Sequence, residues 1–267
     1  MLRVAISGVS GRMGNVLVQA ISVADDLELS AAFENKTNPA IGQDVGEVVG
    51  VGRLGVTVSD SPQQNLEDFD VVVDFSVPDA TLALLEICRK NAKAMVIGTT
   101  GFSSSQLDML GECSREIPIF ISPNMSLGVN ILFKLVSEAS ASFGEEVDYE
   151  VLEAHHSRKI DAPSGTAARL GEIIAQNLSR NIEDSGVYGR KGNVGERSEK
   201  EIGFSSIRGG DIVGDHTVFF IGEGERIEIT HRAQSRMNFA QGAIRATRFL
   251  SRQKNGLYDM EQLLEMS

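Results

Sequence analysis

Short runs of consecutive aliphatic and β-branched residues punctuate the first half of the chain, at 2–7, 27–33, 70–75, 94–97 and 117–121. Runs of this length, apolar without alternation, read as strands buried on both faces of a parallel sheet. Between them the spacing turns helical. Val16, Leu17, Ala20 and Ile21 follow the first run at helix period, and Ser76-Val77-Pro78-Asp79 opens another helix with Pro and Asp in its first turn. Residues 35–60 are rich in glycine and read as loop, with one brief strand candidate at 56–58.

After residue 126 the pattern changes. A long helix is expected over 129–143, stopped by Gly144, and a strand over 147–155. Period two puts Val151, Glu153 and His155 on one face of that strand and Leu152, Ala154 and His156 on the other. A helix at 166–178 and a polar surface loop at 181–201 precede strands at 202–207, 212–221 and 226–233, the last two joined as a hairpin through Gly222-Glu223-Gly224. His216 shares a face with Val218 and Phe220, and His231 with Ile227 and Ile229, so both read as packed, satisfied histidines. Helices at 239–250 and 260–264 end the chain.

The first strand runs into Gly8-Val9-Ser10-Gly11-Arg12-Met13-Gly14 and then a helix. Strand, glycine turn, helix is the setting of a dinucleotide site: Gly8 for the tight turn, Gly11 for approach of a pyrophosphate, Gly14 for close helix contact. The spacing is a variant of that fingerprint, and the same glycines also suit a simple turn. Glu34 closes the second strand twenty residues past Gly14, where a carboxylate accepts both hydroxyls of a ribose. Two later strands end in Gly98-Thr99-Thr100-Gly101 and Ser122-Pro123-Asn124-Met125, small polar loops placed to flank a nicotinamide, or ordinary turns. The class expected is α/β: a Rossmann-like dinucleotide-binding domain over 1–126, with the helical segment 236–267 packing back on it, and an α+β substrate-binding and oligomerisation domain over 127–235.

The net charge of −12 argues against nucleic acid or an anionic membrane as partner. No apolar run is long enough to span a bilayer, and the apolar start is too short for a signal peptide. Cys88 and Cys113 lack metal-site spacing and fall in helices, which suits reduced thiols, no bound metal and a cytoplasmic protein.

The chemistry concentrates in Glu153-Ala154-His155-His156-Ser157-Arg158-Lys159-Ile160-Asp161-Ala162-Pro163-Ser164-Gly165-Thr166-Ala167. Three groups able to move protons or carry positive charge precede a helix start made of small residues. Such a start exposes unpaired N–H groups and binds anions. One segment can thus hold a carboxylate at one end and give a proton at the other; the alternative is a polar loop with packed histidines and a solvated lysine.

This segment, the glycine turn, both small polar loops and Arg208-Gly209-Gly210-Asp211-Ile212-Val213-Gly214-Asp215-His216-Thr217 together resemble the dihydrodipicolinate (4-hydroxy-tetrahydrodipicolinate) reductase family along the whole chain. The resemblance implies hydride transfer from NADH or NADPH to a cyclic imine dicarboxylate in the diaminopimelate route to lysine. It implies proton transfer by His155 and Lys159, substrate contact by His156, and a carboxylate held at Ser164, Gly165 and Thr166. Cofactor contacts fall on Gly8, Val9, Ser10, Gly11, Arg12 and Met13, on Glu34, on Gly98, Thr99 and Thr100, and on Ser122, Pro123, Asn124 and Met125. A homotetramer built through the second domain is also implied. Members often carry a basic residue after the ribose-binding Glu; here Asn35 stands there, with Lys36 next, so NADH is expected to serve at least as well as NADPH. Two other readings stay open: a related reductase or dehydrogenase acting on an aspartate-type semialdehyde, and a nucleotide-sensing module without turnover.

Overall fold

The computed structural model describes residues 1–265. In chain order the elements are β1 (Leu2–Ser7), α1 (Arg12–Ser22), β2 (Leu27–Phe33), α2 (Val45–Val49), β3 (Val58–Ser59), β4 (Val71–Asp74), α3 (Pro78–Lys90), β5 (Ala94–Ile97), α4 (Ser104–Cys113) and β6 (Pro118–Ile121). Then come α5 (Leu127–Phe143), β7 (Asp148–His155), α6 (Gly165–Asn177), α7 (Ile182–Ser185), β8 (Gly186–Tyr188), β9 (Ile202–Arg208), β10 (Gly214–Ile221), β11 (Arg226–Ala233), α8 (Met237–Leu250), β12 (Gly256–Tyr258) and α9 (Met260–Glu265).

The chain forms two units, Met1–Leu127 with the segment from Arg236 onward, and Gly128–Ser235. In the first, seven parallel strands are ordered β12-β6-β5-β4-β1-β2-β3. The apolar runs alternate their side chains between two cores. Val4, Ile6, Val73 and Val96 pack with Leu17 and Ile21 of α1 and Ala243 and Ile244 of α8. Ala5, Val72, Met95 and Ile97 pack with Leu85 and Cys88 of α3 and Leu110 of α4. Burial on both faces is why these strands show no polar alternation. Because all are parallel, the loops after β1, β2, β4, β5 and β6 emerge at one edge, and strand order reverses between β1 and β4, where such sheets bind ligands.

The second unit holds a mixed sheet, β11-β10-β7-β9-β8, with β7, β9 and β8 parallel and β10 and β11 antiparallel. Its inner face carries Tyr149, Val151, Phe204, Val218 and Phe220 against Leu132 and Val136 of α5 and Leu170 and Ile174 of α6.

Four expectations need correction. The glycine-rich stretch contains α2, held because the Asp44 carboxylate accepts N–H bonds from Gly46 and Glu47 in its first turn and from Leu54 and Gly55 beyond it; β3 then starts two residues later than expected. The expected loop at 181–201 contains α7, capped by Asn181, and β8, which pairs with β9 and stacks Tyr188 on Phe204 at 4.8 Å. Between the two C-terminal helices, β12 adds to the edge of the first sheet beside β6. The strand expected from 212 begins at Gly214. Residues 266 and 267 of the segment expected to pack on the first domain lie outside the described residues.

Candidate active site

In the first unit the candidate cofactor residues line the carboxyl edge of the sheet. Gly8 has φ +79°, and a Cβ on Gly14 would overlap the carbonyl oxygen of Gly8, so the turn closes only with glycine at both places. Gly11 is the N-cap of α1, with no side-chain cap and no acidic residue in the first turn, which leaves the helix start free for an anion. Glu34 reaches back to the turn: its carboxylate accepts the N–H of Ser10 at 3.0 Å and that of Asn35 at 2.9 Å. Asn35 is exposed, and its Oδ1 accepts from the N–H and hydroxyl of Thr37 at 3.1 and 3.0 Å. Arg12, Lys36, Thr100 and Pro123 are also exposed.

Several predicted residues are committed to the protein itself. Val9 is wholly buried in the core and its N–H is given to Phe33 at 3.3 Å, as is that of Gly8 at 3.0 Å. Met125 is buried in the same core. Ser122 donates to the carbonyl of Asn124 at 2.8 Å and so shapes its own loop. Thr99 donates to the buried Asp74 carboxylate at 3.0 Å, as do the hydroxyls of Ser76 at 2.7 Å and Thr81 at 2.5 Å. Thr99 also accepts the N–H of Ser76 at 3.0 Å, which ties the loop after β4 to the Gly98–Gly101 loop after β5. Sequence reasoning missed Asp74; its place as the last residue of an otherwise aliphatic strand was the available signal.

In the second unit β7 ends at His155, which is 8% exposed and on the inner face with Glu153, as the period-two pattern requires. His155 Nδ1 lies 2.5 Å from the Glu153 carboxylate. Glu153 is also gripped by both terminal nitrogens of Arg208, at 2.8 and 2.7 Å. Burial works against that charge, but Arg208, the Ser206 hydroxyl and His155 outweigh it and hold the Glu153 carboxyl at about 2. Burial pushes His155 below its ordinary value, against the opposing pull of Glu153. Arg208 donates further to the carbonyl of Asp161 at 2.6 Å, and the Asp161 carboxylate takes Lys159 Nζ at 2.8 Å.

His156 lies beyond the end of the strand, with its carbonyl accepting the N–H of Lys159 at 3.0 Å and its buried Nδ1 unpaired among the described residues. Ser164 is the N-cap of α6, its hydroxyl accepting from the N–H of Ala167, with Gly165 exposed and Thr166 half-buried behind it.

His216 packs on the inner face as expected, and the structure adds what it touches: its Nε2 bonds the Ser164 hydroxyl at 3.0 Å, its ring meets that of His155 with centroids 5.1 Å apart, and its Nδ1 is unpaired among the described residues. Burial, with His155 next to it, pushes His216 down to about 3, so it stays neutral. His231 is half-buried with Nδ1 unpaired among the described residues, and is therefore not the satisfied histidine expected. The cluster thus unites His155, Lys159 and the start of α6, and adds Glu153, Arg208 and His216. Among the described residues no group of three His, Cys, Asp or Glu side chains could hold a metal, and no helix is long and apolar enough to cross a membrane. Both cysteines are free and buried, and burial pushes the Cys88 thiol up to about 12.

The family model described as dihydrodipicolinate reductase, N-terminus, matches residues 2–125, and that for the C-terminus matches residues 128–264. The chain belongs to the dihydrodipicolinate reductase family. A 4-hydroxy-tetrahydrodipicolinate reductase of Hahella chejuensis is 51% identical over 99% of this chain and 99% of its own length. One from Pseudomonas fluorescens is 49% identical over the whole of both chains. A dipicolinate-bound dihydrodipicolinate reductase from Paenisporosarcina shares the fold, with TM-score 0.78 at 24% identity over 97% of each chain. Family membership makes the chain an NAD(P)H-dependent oxidoreductase of the diaminopimelate route to lysine.

Proposed function

We propose that the chain reduces 4-hydroxy-tetrahydrodipicolinate to tetrahydrodipicolinate, with the first unit holding NADH or NADPH and the second holding the substrate. The observation that supports this most is the second-unit cluster, in which a buried histidine is linked to a lysine through Glu153, Arg208 and Asp161, and to an uncrowded helix start through His216. The first unit fits a dinucleotide: a tight glycine turn, an uncapped helix start for the pyrophosphate and the Glu34 carboxylate for the ribose. A bound nicotinamide supplies hydride.

The protein's own groups do the rest. The N–H groups at the start of α6 and the Ser164–Thr166 segment hold one substrate carboxylate. Lys159, and His155 through Nε2, stand as the groups that give or take the proton accompanying reduction. Glu34 favours an unmodified ribose, and Asn35 brings no charge to a 2′-phosphate, so NADH serves at least as well as NADPH.

The chain acts in the cytoplasm as a homotetramer. Support for association comes from the outer face of the second sheet, where Ile207 is 49% and Ile221 37% exposed. Light scattering during size-exclusion chromatography tests the tetramer. The reaction is tested by following loss of NADH and NADPH with freshly generated substrate, alongside aspartate semialdehyde; turnover only on the semialdehyde would overturn the proposal.

A further inference from the structure

Glu153 is 1% exposed, a depth at which a lone carboxylate would be costly. Its oxygens accept from His155 on its own strand and from the two terminal nitrogens of Arg208 and the Ser206 hydroxyl on the neighbouring strand β9. The register explains the meeting, because His155 pairs with Arg208 and Glu153 with Ser206 across β7 and β9. A carboxylate that stays ionised can only accept. The nitrogen facing it at 2.5 Å, Nδ1 of His155, therefore carries the hydrogen. The proton-free nitrogen of the neutral ring is then Nε2. Space toward that atom depends on Gly214 of β10, where a Cβ would come to 3.0 Å from His155 Nε2.

Arg208 does a second thing. The nitrogen that holds one Glu153 oxygen at 2.7 Å also donates to the carbonyl of Asp161 at 2.6 Å, and Asp161 holds Lys159. A single guanidinium thus ties the strand that carries the histidine to the loop that carries the lysine.

We propose that Glu153 and Arg208 are positioning residues for the reduction: Glu153 fixes His155 as the Nδ1–H tautomer with Nε2 turned to the substrate, and Arg208 locks that carboxylate to the Lys159 loop. The inference rests on the function proposed above only for what the two positioned groups do. The charged and titratable groups around His155 are Glu153 on β7, Arg208 on β9, His216 on β10 with His231 opposite it on β11, and Lys159 and Asp161 in the following loop. Of these, Glu153 raises the histidine's proton affinity and Lys159 and Arg208 lower it. Replacing Glu153 by Gln removes the raising influence and leaves the lowering ones, so the ring must lose its proton at lower pH.

The test begins on wild-type protein labelled with ¹⁵N in its four histidines. At neutral pH, long-range proton–nitrogen spectra should show His155 protonated at Nδ1, with a proton resonance shifted far downfield, assigned by its loss in His155→Asn. Glu153→Gln should keep the fold and the cofactor dissociation constant, lower kcat by about 10- to 100-fold, as for loss of the partner that orients a working histidine, and move the histidine limb of the pH profile to lower pH. Arg208→Lys should lower kcat likewise without moving cofactor binding. A wild-type His155 found as the Nε2–H tautomer overturns the proposal, and so does Glu153→Gln with wild-type kcat and pH profile. Because the tautomer is read without turnover, a protein inactive on this substrate would refute the assigned reaction and still show whether Glu153 sets the histidine's tautomer.

Discussion

Gly165→Val separates the fold from the proposed anion cradle. Gly165 is the exposed first residue of α6, its φ lies outside the left-handed region, and a Cβ there meets nothing within 4 Å. The cap bond from Ala167 N–H to Ser164 does not involve it. Valine is as good a helix former as glycine or better, by a few tenths of a kcal/mol, so stability should move by less than about 0.5 kcal/mol. The isopropyl group would instead occupy the space over the first amides of the helix. A hydrogen bond to a charged group contributes about 1.5–3 kcal/mol. Losing one such bond, about 2 kcal/mol, weakens binding roughly 30-fold. Thermal unfolding should therefore stay near wild type, as should the NADH dissociation constant. The Michaelis constant for substrate and the inhibition constant of pyridine-2,6-dicarboxylate should rise together by about 30-fold or more. If inhibitor and substrate bind as to wild type, the carboxylate is held elsewhere. A large fall in melting temperature would show instead that the space around Gly165 is not open as described.

Lys159→Ala should cut turnover by roughly 10²–10⁴-fold, the scale for a lost proton-transfer group, with NADH binding unchanged by titration; turnover within a few-fold of wild type would remove the role from Lys159. Asn35→Arg should shift the ratio of NADPH to NADH dissociation constants about tenfold toward NADPH, or ~1.4 kcal/mol, measured on both proteins at one salt concentration; no shift would mean that another residue reads the phosphate. Glu153 titrates near 2 rather than its ordinary 4.5, so its contribution to stability is present above pH 4.5 and is lost as pH falls toward 2. That contribution amounts to about 3 kcal/mol; an acid titration followed by circular dichroism should show a shallower loss over that window for Glu153→Gln, and identical curves would argue against the depressed value.

The strands of the first sheet were readable because burial on both faces demands aliphatic runs such as Val71-Val72-Val73, and the short helix α2 was not, because a five-residue turn of helix is held by Asp44 rather than by any periodicity. The three-residue edge strands β8 and β12 carry too few positions for an alternation to register, and β12 pairs with β6 from much earlier in the chain. Period two placed His155 and Glu153 on one inner face, as observed. It also turned His216 inward, but alternation cannot distinguish an inward histidine among apolar side chains from one bonded to Ser164, 52 residues earlier. The same limit hid Arg208, whose bond to Glu153 spans 55 residues and exists only once β9 has paired with β7.

A protein of net charge −12 is an unpromising host for a dianion, and the two carboxylates of the second-unit cluster show how the difficulty is met locally. Both compensate cations, but in different settings. Glu153 is 1% exposed and bonded on both oxygens, so separating it from Arg208 would strand buried charges, at a cost of about 3–5 kcal/mol. It remains in place whatever binds nearby. Asp161 has a side chain 55% exposed and engages Lys159 through one oxygen at 2.8 Å. The Lys159 side chain is itself only 20% exposed, so the pair is open to water on the Asp161 side alone. Under the function proposed above, a substrate carboxylate carries the same charge as Asp161 and would take over the lysine without leaving the amine unpaired, while the exposed Asp161 would turn to water. Exposure divides the labour: the buried carboxylate holds the geometry, and the exposed one gives way.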